Sequence, residues 1–333
     1  MTRTKAPGTI PPTALPESGD PLGEALHAFR LEGVVYARSH LTAPWGVSMP
    51  PMPGCVMFHV VTSGSCVLEG AGDGPTTLRP GEFALMPRGE GHTIKSQPNA
   101  RTEDYFSLPV RRMTDRYEVL RYGGGGAETT LICGAVCVDH PAARDLIGML
   151  PGLIHTRAWD TPDADWMLGT LRLMGAEASA QLPGGETIVT RLADVLVVQS
   201  IRAWLNQHPE EQSGWLGALR DHRIGPALVR IQREPERAWT VASLASSVAM
   251  SRSAFSARFT ELVGESPLQY VTRWRMQVAG AWLQSDETTA AECGARLGYN
   301  SEAAFNRAFK RVMGLPPRAW QRHQAQTTQA LAQ

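Results

Sequence analysis

The chain has 333 residues, a hydrophobic share of 43% and 32 basic against 32 acidic side chains. That length allows two or three domains with cores of their own, and no run approaches the roughly 18 uninterrupted apolar residues that a membrane helix needs. The neutral total hides a split: residues 222–323 hold 14 Lys/Arg against 8 Asp/Glu, whereas residues 1–221 hold 18 against 24. A basic rear behind an acidic front points to a polyanion met by the C-terminal part alone.

The opening stretch "MTRTKAPGTIPPTALPESGD" is rich in Pro and lacks the apolar core of a signal peptide. Residues 1–24 therefore read as a disordered tail, and the cytoplasm is the expected compartment. Five cysteines (Cys55, Cys66, Cys133, Cys137 and Cys293) show neither zinc-finger nor secreted-disulfide spacing. Mostly reduced thiols are expected.

Residues 25–140 read as a β domain. "FHVVTSGSCVLEGAGDGPTTLRPGEFALMPRGEGHTI" (58–94) alternates short β-rich runs with Gly/Pro turns, which predicts an antiparallel barrel or sandwich. The order Gly81-Glu82, Pro87, His92 resembles the second motif of cupins, and Phe58 to Gly70 resembles their first in outline. Metal-dependent cupins carry His-x-His and then Glu on that first motif. Here Val60 and Val61 follow His59, leaving His59, Glu69 and His92 as scattered remnants. Two or three of them could hold a divalent metal, but a binding barrel without metal, cofactor or catalysis is the preferred reading. Its mouth is the default pocket, with Trp45, His59, Glu69 and His92 as candidate ligand-binding residues.

"TLICGAVCVDHPAARDLIGMLPGLI" (130–154) predicts a strand and then a helix, with Cys133, Ala135 and Cys137 on one strand face. Those thiols are either small buried hydrophobes or, for Cys133 and Cys137, redox sensors needing a lowered pKa and solvent access. Residues 141–205 form a helical region with helices at 165–181 and 186–206. The apolar cover of the second is broad enough for a homodimer contact on one side or for a wholly intrachain core. The polar, Pro/Gly-containing stretch "NQHPEEQSGWLG" marks residues 206–221 as a linker.

Residues 222–323 contain one unit built twice. "SRSAFSARFTELVGESPLQY" (251–270) and "SEAAFNRAFKRVMGLPPRAW" (301–320) share Ser, Phe, Phe, Gly, Pro and an aromatic residue at one fixed offset. Thr240 caps a short helix with Val241, Leu244, Ala245 and Val248 on one face. Ser251 caps the next, which Phe255, Phe259 and Leu262 bury and Gly264 ends. Two short helices joined by a tight turn form a helix-turn-helix, whose second helix enters the major groove. At about 100° per residue, Ser253, Ser256, Ala257 and Thr260 face outward, with Arg252 at the margin, while Arg258 falls toward the core side or its edge, still among the candidate DNA contacts. In the second copy Ala303, Asn306, Arg307 and Lys310 face outward, beside Glu302 and Arg311. Asn306 and Arg307 suit bidentate base reading; Lys310, Arg311 and Arg252 suit phosphates. A helix at 267–285 would hold the two reading helices in successive grooves, roughly 34 Å apart. Residues 324–333 form a tail.

"GYNSEAAFNRAFKRVMGLPPRAW" and "VASLASSVAMSRSAFSARF" closely resemble the AraC/XylS family of transcription regulators. Two departures stand out: Gly294 lies inside a helix, which predicts a softer second unit, and the usual Arg of the first reading helix is displaced to Arg258, after Ala257. The resemblance implies an α+β multidomain chain, with a cupin-like antiparallel β-barrel and following helices ahead of an all-α double helix-turn-helix. It also implies promoter DNA and RNA polymerase as partners, activation more often than repression, and a small-molecule or oxidant effector, since certain relatives with this front half respond to oxidants. The rival readings are a metal-dependent cupin enzyme with an accessory helical domain and a constitutive architectural DNA-binding protein.

Overall fold

The computed structural model describes residues 31–114, 117–138, 141–157, 164–180, 182–208, 215–284 and 288–322. The expected tails, 1–24 and 324–333, lie outside them. The front half consists of strands β1 (Leu31–Thr42), β2 (Gly46–Met49), β3 (Cys55–Ser63), β4 (Cys66–Glu69), β5 (Thr76–Leu78), β6 (Glu82–Met86), β7 (His92–Lys95), β8 (Glu103–Asp104), β9 (Val110–Arg112), β10 (Tyr117–Gly123), β11 (Glu128–Val138) and β12 (Ile154–Arg157). They form a seven-stranded sheet, ordered β12-β6-β3-β11-β1-β10-β9, and a five-stranded one, ordered β5-β4-β7-β2-β8. The expected antiparallel pattern holds for most pairs, but β1 pairs with β10 and β2 with β8 in parallel. The strands of both pairs are far apart in the chain, where a hairpin does not dictate direction.

Strand β3 shows why its sequence, "CVMFHVV", is almost continuously apolar. Alternate side chains point to opposite faces, and here both faces are covered. Cys55, Met57 and Val61 pack inside the barrel, whereas Val56, Phe58 and Val60 pack on the helical side. That side is covered by α1 (Pro141–Met149), α2 (Ala164–Ala180) and α3 (Gly185–Gln207), close to their expected bounds. Leu146, Met174, Leu196 and Val197 are buried there with the outer face of β3.

The rear consists of α4 (Trp215–Arg220), α5 (Ile224–Arg233), α6 (Val241–Ser247), α7 (Arg252–Val263), α8 (Pro267–Gln284), α9 (Ala290–Arg296) and α10 (Glu302–Met313). The linker expected over 206–221 is therefore shorter. Helix α3 runs to Gln207, and α4 buries Ala218 and Leu219 against the rear domain. Polarity in "NQHPEEQSGWLG" marks the start of this stretch, but Trp215 and Leu216 already belong to a packed helix.

The duplication holds down to its caps. Thr240 and Thr289 each accept a backbone N–H at the third helical residue, from Ser243 and Glu292, and each donates its own backbone N–H in return to that residue's side-chain oxygen. Ser251 and Ser301 cap α7 and α10, which end at Gly264 and Gly314 in the left-handed region. Caps of the first helices are 49 residues apart and those of the second 50, so the second turn, "LGYN", is one residue longer than "VAM". Both turns close alike: Met250 N–H donates to the Ala245 carbonyl at 3.0 Å, and Tyr299 N–H to the Gly294 carbonyl at 2.9 Å. The left-handed residue is Ala249 (φ 53°) in one and Gly298 (φ 78°) in the other.

Gly294, expected to soften the second unit, sits at a close helix–helix contact. A Cβ there would lie 3.1 Å from the Phe305 Cβ and 3.2 Å from its Cγ. The missing side chain lets α9 lie directly on α10, and Gly294, Cys293, Phe305 and Phe309 are all buried. Phe255, Phe259, Tyr270 and Trp274 of the first unit share an unbroken apolar cluster with the barrel's outer face, and α1 touches α8. Met276, Ala279, Leu283, Phe305 and Phe309 form a separate cluster.

Candidate nucleic-acid interface and sensor cavity

Helix α10 carries the cationic surface. Ala303, Arg307, Lys310 and Arg311 are exposed, with Glu302 beside them in the first turn. Asn306 is half-buried, and its Oδ1 is enclosed without a hydrogen-bond partner. Two-fold pairing with adenine therefore requires its side chain to turn outward first.

Helix α7 is different. Arg252, Ser253 and Thr260 are exposed and Ser256 is half-buried, as the helical angle predicted. Arg258, expected among the DNA contacts, is held elsewhere. Its Nε and Nη2 donate to Asp221 Oδ2 at 3.2 and 3.1 Å, and its Nη1 donates to Glu261 Oε2 at 3.1 Å. The other oxygen of Asp221 accepts the backbone N–H groups of Arg223 and Ile224, both at 2.9 Å. Burial works against the Asp221 carboxylate, but the bonds from Ile224, Arg223 and Arg258 outweigh it and hold its carboxyl below the usual range. Arg258 thus ties α7 to the corner between α4 and α5. Its counterpart in α10 is Ala308, which is buried.

Other arginines in the basic surplus are also structural. Arg223 and Arg230 donate to the carbonyls of Val248 (2.8 Å) and Ser247 (2.7 Å), closing the end of α6. Arg275 donates to the carbonyls of Pro235 and Arg237 at 2.7 and 2.8 Å. Discounting them concentrates the outward positive charge on α10.

In the barrel the four candidate ligand residues do not form one site. His59 points inward from β3 and lines a cavity of about 40 Å³ with Leu41, Met49, Met57, Leu120 and Cys133. His92 lies behind it, the two Nε2 atoms 2.7 Å apart. Trp45 is buried in the barrel core. Glu69 occupies an outward position on β4 and pairs with Lys95 at 2.6 Å, because Cys66 and Leu68 take the inward positions. Among the described residues no group of three His, Cys, Asp or Glu is placed to hold a metal ion.

The two histidines and Cys133 form a neutral chain of defined direction. Burial lowers the pKa of both rings, well below the ordinary value for His59, whose ring also faces His92. His92 Nδ1 lies 3.2 Å from the Glu90 carbonyl, which can only accept, so Nδ1 holds the proton and Nε2 accepts from His59. His59 Nδ1 then accepts from the Cys133 thiol, 2.9 Å away.

That arrangement does not favour Cys133 as a thiolate sensor. Burial, and then the neighbouring Cys66, push its thiol far above the ordinary value, and a bond to Ser39 opposes them only in part. What surface it has faces the cavity. Cys66 is pushed up to about 12 by burial and by Glu82. Cys66, Cys133 and Cys293 are free, in line with mostly reduced thiols, with one exception. Cys55 is disulfide-bonded, and its partner in the β3–β11 register is Cys137. Sequence reasoning missed the disulfide at Cys55, and also Asp221 and the methionines lining the cavity. Inward parity on β3 is a signal that could have found Met57.

Comparison with known proteins agrees with this architecture. A cupin family model matches residues 20–206 and a helix-turn-helix domain model matches residues 244–323. A putative AraC-like transcription regulator from Streptomyces lividans is 34% identical over 311 residues, covering 91% of this chain and 98% of its own length. One from Streptomyces antibioticus is 32% identical, covering 91% and 99%. The HTH-type transcriptional regulator AlkR from Acinetobacter baylyi is 29% identical, covering 79% and 86%. A cupin front half, a duplicated and doubly capped helix pair, and relatives matched over nearly their whole length place this chain in the AraC family of transcription regulators.

Proposed function

We propose that this regulator binds promoter DNA through α7 and α10, and that a small apolar effector entering the barrel cavity shifts the population able to bind. The observation that carries the reading is the unbroken apolar cluster from the barrel's outer face to Trp274 of α8. An effector that favours one barrel conformation thereby gains a physical route to the reading helices. A free volume of about 40 Å³ admits little more than water, so binding requires the flexible side chains of Met49, Met52 and Met57 to move. The histidine chain would supply the polar contact. We read the barrel as non-catalytic and its compartment as the cytoplasm; no described helix is long and apolar enough to cross a membrane.

A homodimer formed through α2 and α3 fits the exposed apolar residues Leu173, Leu182, Ile188 and Val195. Activation through contact with RNA polymerase follows from the family reading alone.

Genome-wide mapping of sites bound by the full-length protein, combined with salt-dependent binding to the recovered fragments, tests the proposal. Discrete promoter sites, with affinity shifted by a metabolite of the neighbouring genes, support it. Absence of salt-sensitive duplex binding overturns it, and affinity indifferent to every such metabolite overturns the effector half.

A further inference from the structure

The two reading helices superpose by their caps but not by their chemistry. At equivalent positions α10 presents Asn306, Arg307 and Lys310, where α7 presents Ser256, Ala257 and Thr260. The one cation central in α7, Arg258, is engaged by both Asp221 and Glu261. Helix α7 thus has only Arg252, in its first turn, as a cation free of carboxylates, while α10 has three, Arg307, Lys310 and Arg311, without an ion pair among the described residues.

We propose that the operator is read unequally, resting on the DNA-binding reading above. The half-site under α10 carries guanine, read through O6 and N7 by Arg307 or Lys310. The half-site under α7 is thymine-rich and read through C5-methyl groups. Arg and Lys match the two acceptors on guanine, whereas Ala and the Thr methyl can only make apolar contact, for which the thymine methyl is the major-groove partner. Ser256 and Thr260 hydroxyls bond to several bases and discriminate little. Arg252, exposed in the first turn of α7, supplies a phosphate contact that fixes register without choosing sequence.

Selection of bound duplexes from a random library by the full-length protein tests this, followed by base-analogue substitution in the selected site. The expected site has one half with an invariant guanine whose preference disappears in Arg307→Ala or Lys310→Ala, and whose 7-deaza analogue binds more weakly. In the other half, replacing thymine by uracil, which removes only the methyl, should weaken binding about fivefold at the contacted position. Ala257→Arg, an exposed change, should add a guanine preference to that second half. Invariant guanines in both halves of the wild-type site, or uracil tolerated at every thymine of the α7 half, overturn the proposal while leaving DNA binding intact. Loss of all selective duplex binding by the wild type overturns the DNA-binding reading itself.

Discussion

His59 and His92 meet through their Nε2 atoms at 2.7 Å inside the barrel, a distance at which one ring must donate and the other accept. Both have depressed folded-state pKa values. Their contribution to stability is therefore fully present above the unfolded value of about 6.5 and is lost as pH falls below it. Each histidine should add a slope of up to about 1.4 kcal/mol per pH unit there. Thermal melts at pH 7.5 and 5.5 should show a fall in Tm that a His59→Phe, His92→Leu double variant flattens. An equal fall in both proteins would assign the pH response to other groups.

The Cys133 thiol is placed to donate to His59 Nδ1, 2.9 Å away. Cys133→Ser retains a donor, whereas Cys133→Ala leaves the buried Nδ1 acceptor unpaired and should cost about 1–3 kcal/mol. Urea unfolding of the two variants measures the difference. In the native protein at pH 7.5, iodoacetamide should leave Cys133 unmodified; rapid labelling would restore the sensor reading.

Ala249 and Gly298 occupy the same left-handed position in the two turns, and only glycine does so without steric cost. Ala249→Gly should stabilise the protein by about 0.5–1 kcal/mol, the relief of strain exceeding the added unfolded-state freedom. Gly298→Ala should destabilise it by a similar amount. Chemical denaturation midpoints of the two variants should move in opposite directions.

Gly294→Ala offers a test in which helix propensity and packing disagree. Propensity alone forecasts a gain of about 1 kcal/mol. The approach of Phe305, 3.1 Å from the added Cβ, forecasts a loss of about 1–3 kcal/mol, as overpacked cores show. We expect the loss, read as a lower midpoint for the second unit and weaker DNA binding.

The duplicated helix pair was legible because its signals are local. Caps at Thr240, Ser251 and Ser301, left-handed glycines and paired phenylalanines each lie within a few residues of what they specify. The barrel was legible as a class, from turns and alternation, but its site was not. Glu69 and His92 look like partners in the sequence, yet parity on β4 sends Glu69 outward to Lys95. The Asp221–Arg258 tie spans 37 residues, and the pairing of Cys55 with Cys137 in register depends on how β11 lies beside β3. Such facts arise only once strands and helices have chosen neighbours.

Helix α8 belongs to two interiors at once: Tyr270 and Trp274 lie in the cluster shared with the barrel side, and Met276, Ala279 and Leu283 in that of the second unit. Its 18 residues make a stiff rod about 27 Å long. Pivoted near Trp274, its remaining length of about 15 Å would turn a ten-degree tilt into a swing of about 2.6 Å at the far end. Hydrogen bonds to base edges do not tolerate such a displacement. On the proposed reading, a small rocking of the front half would be geared up into engagement or release of Arg307, with no need for either half to unfold.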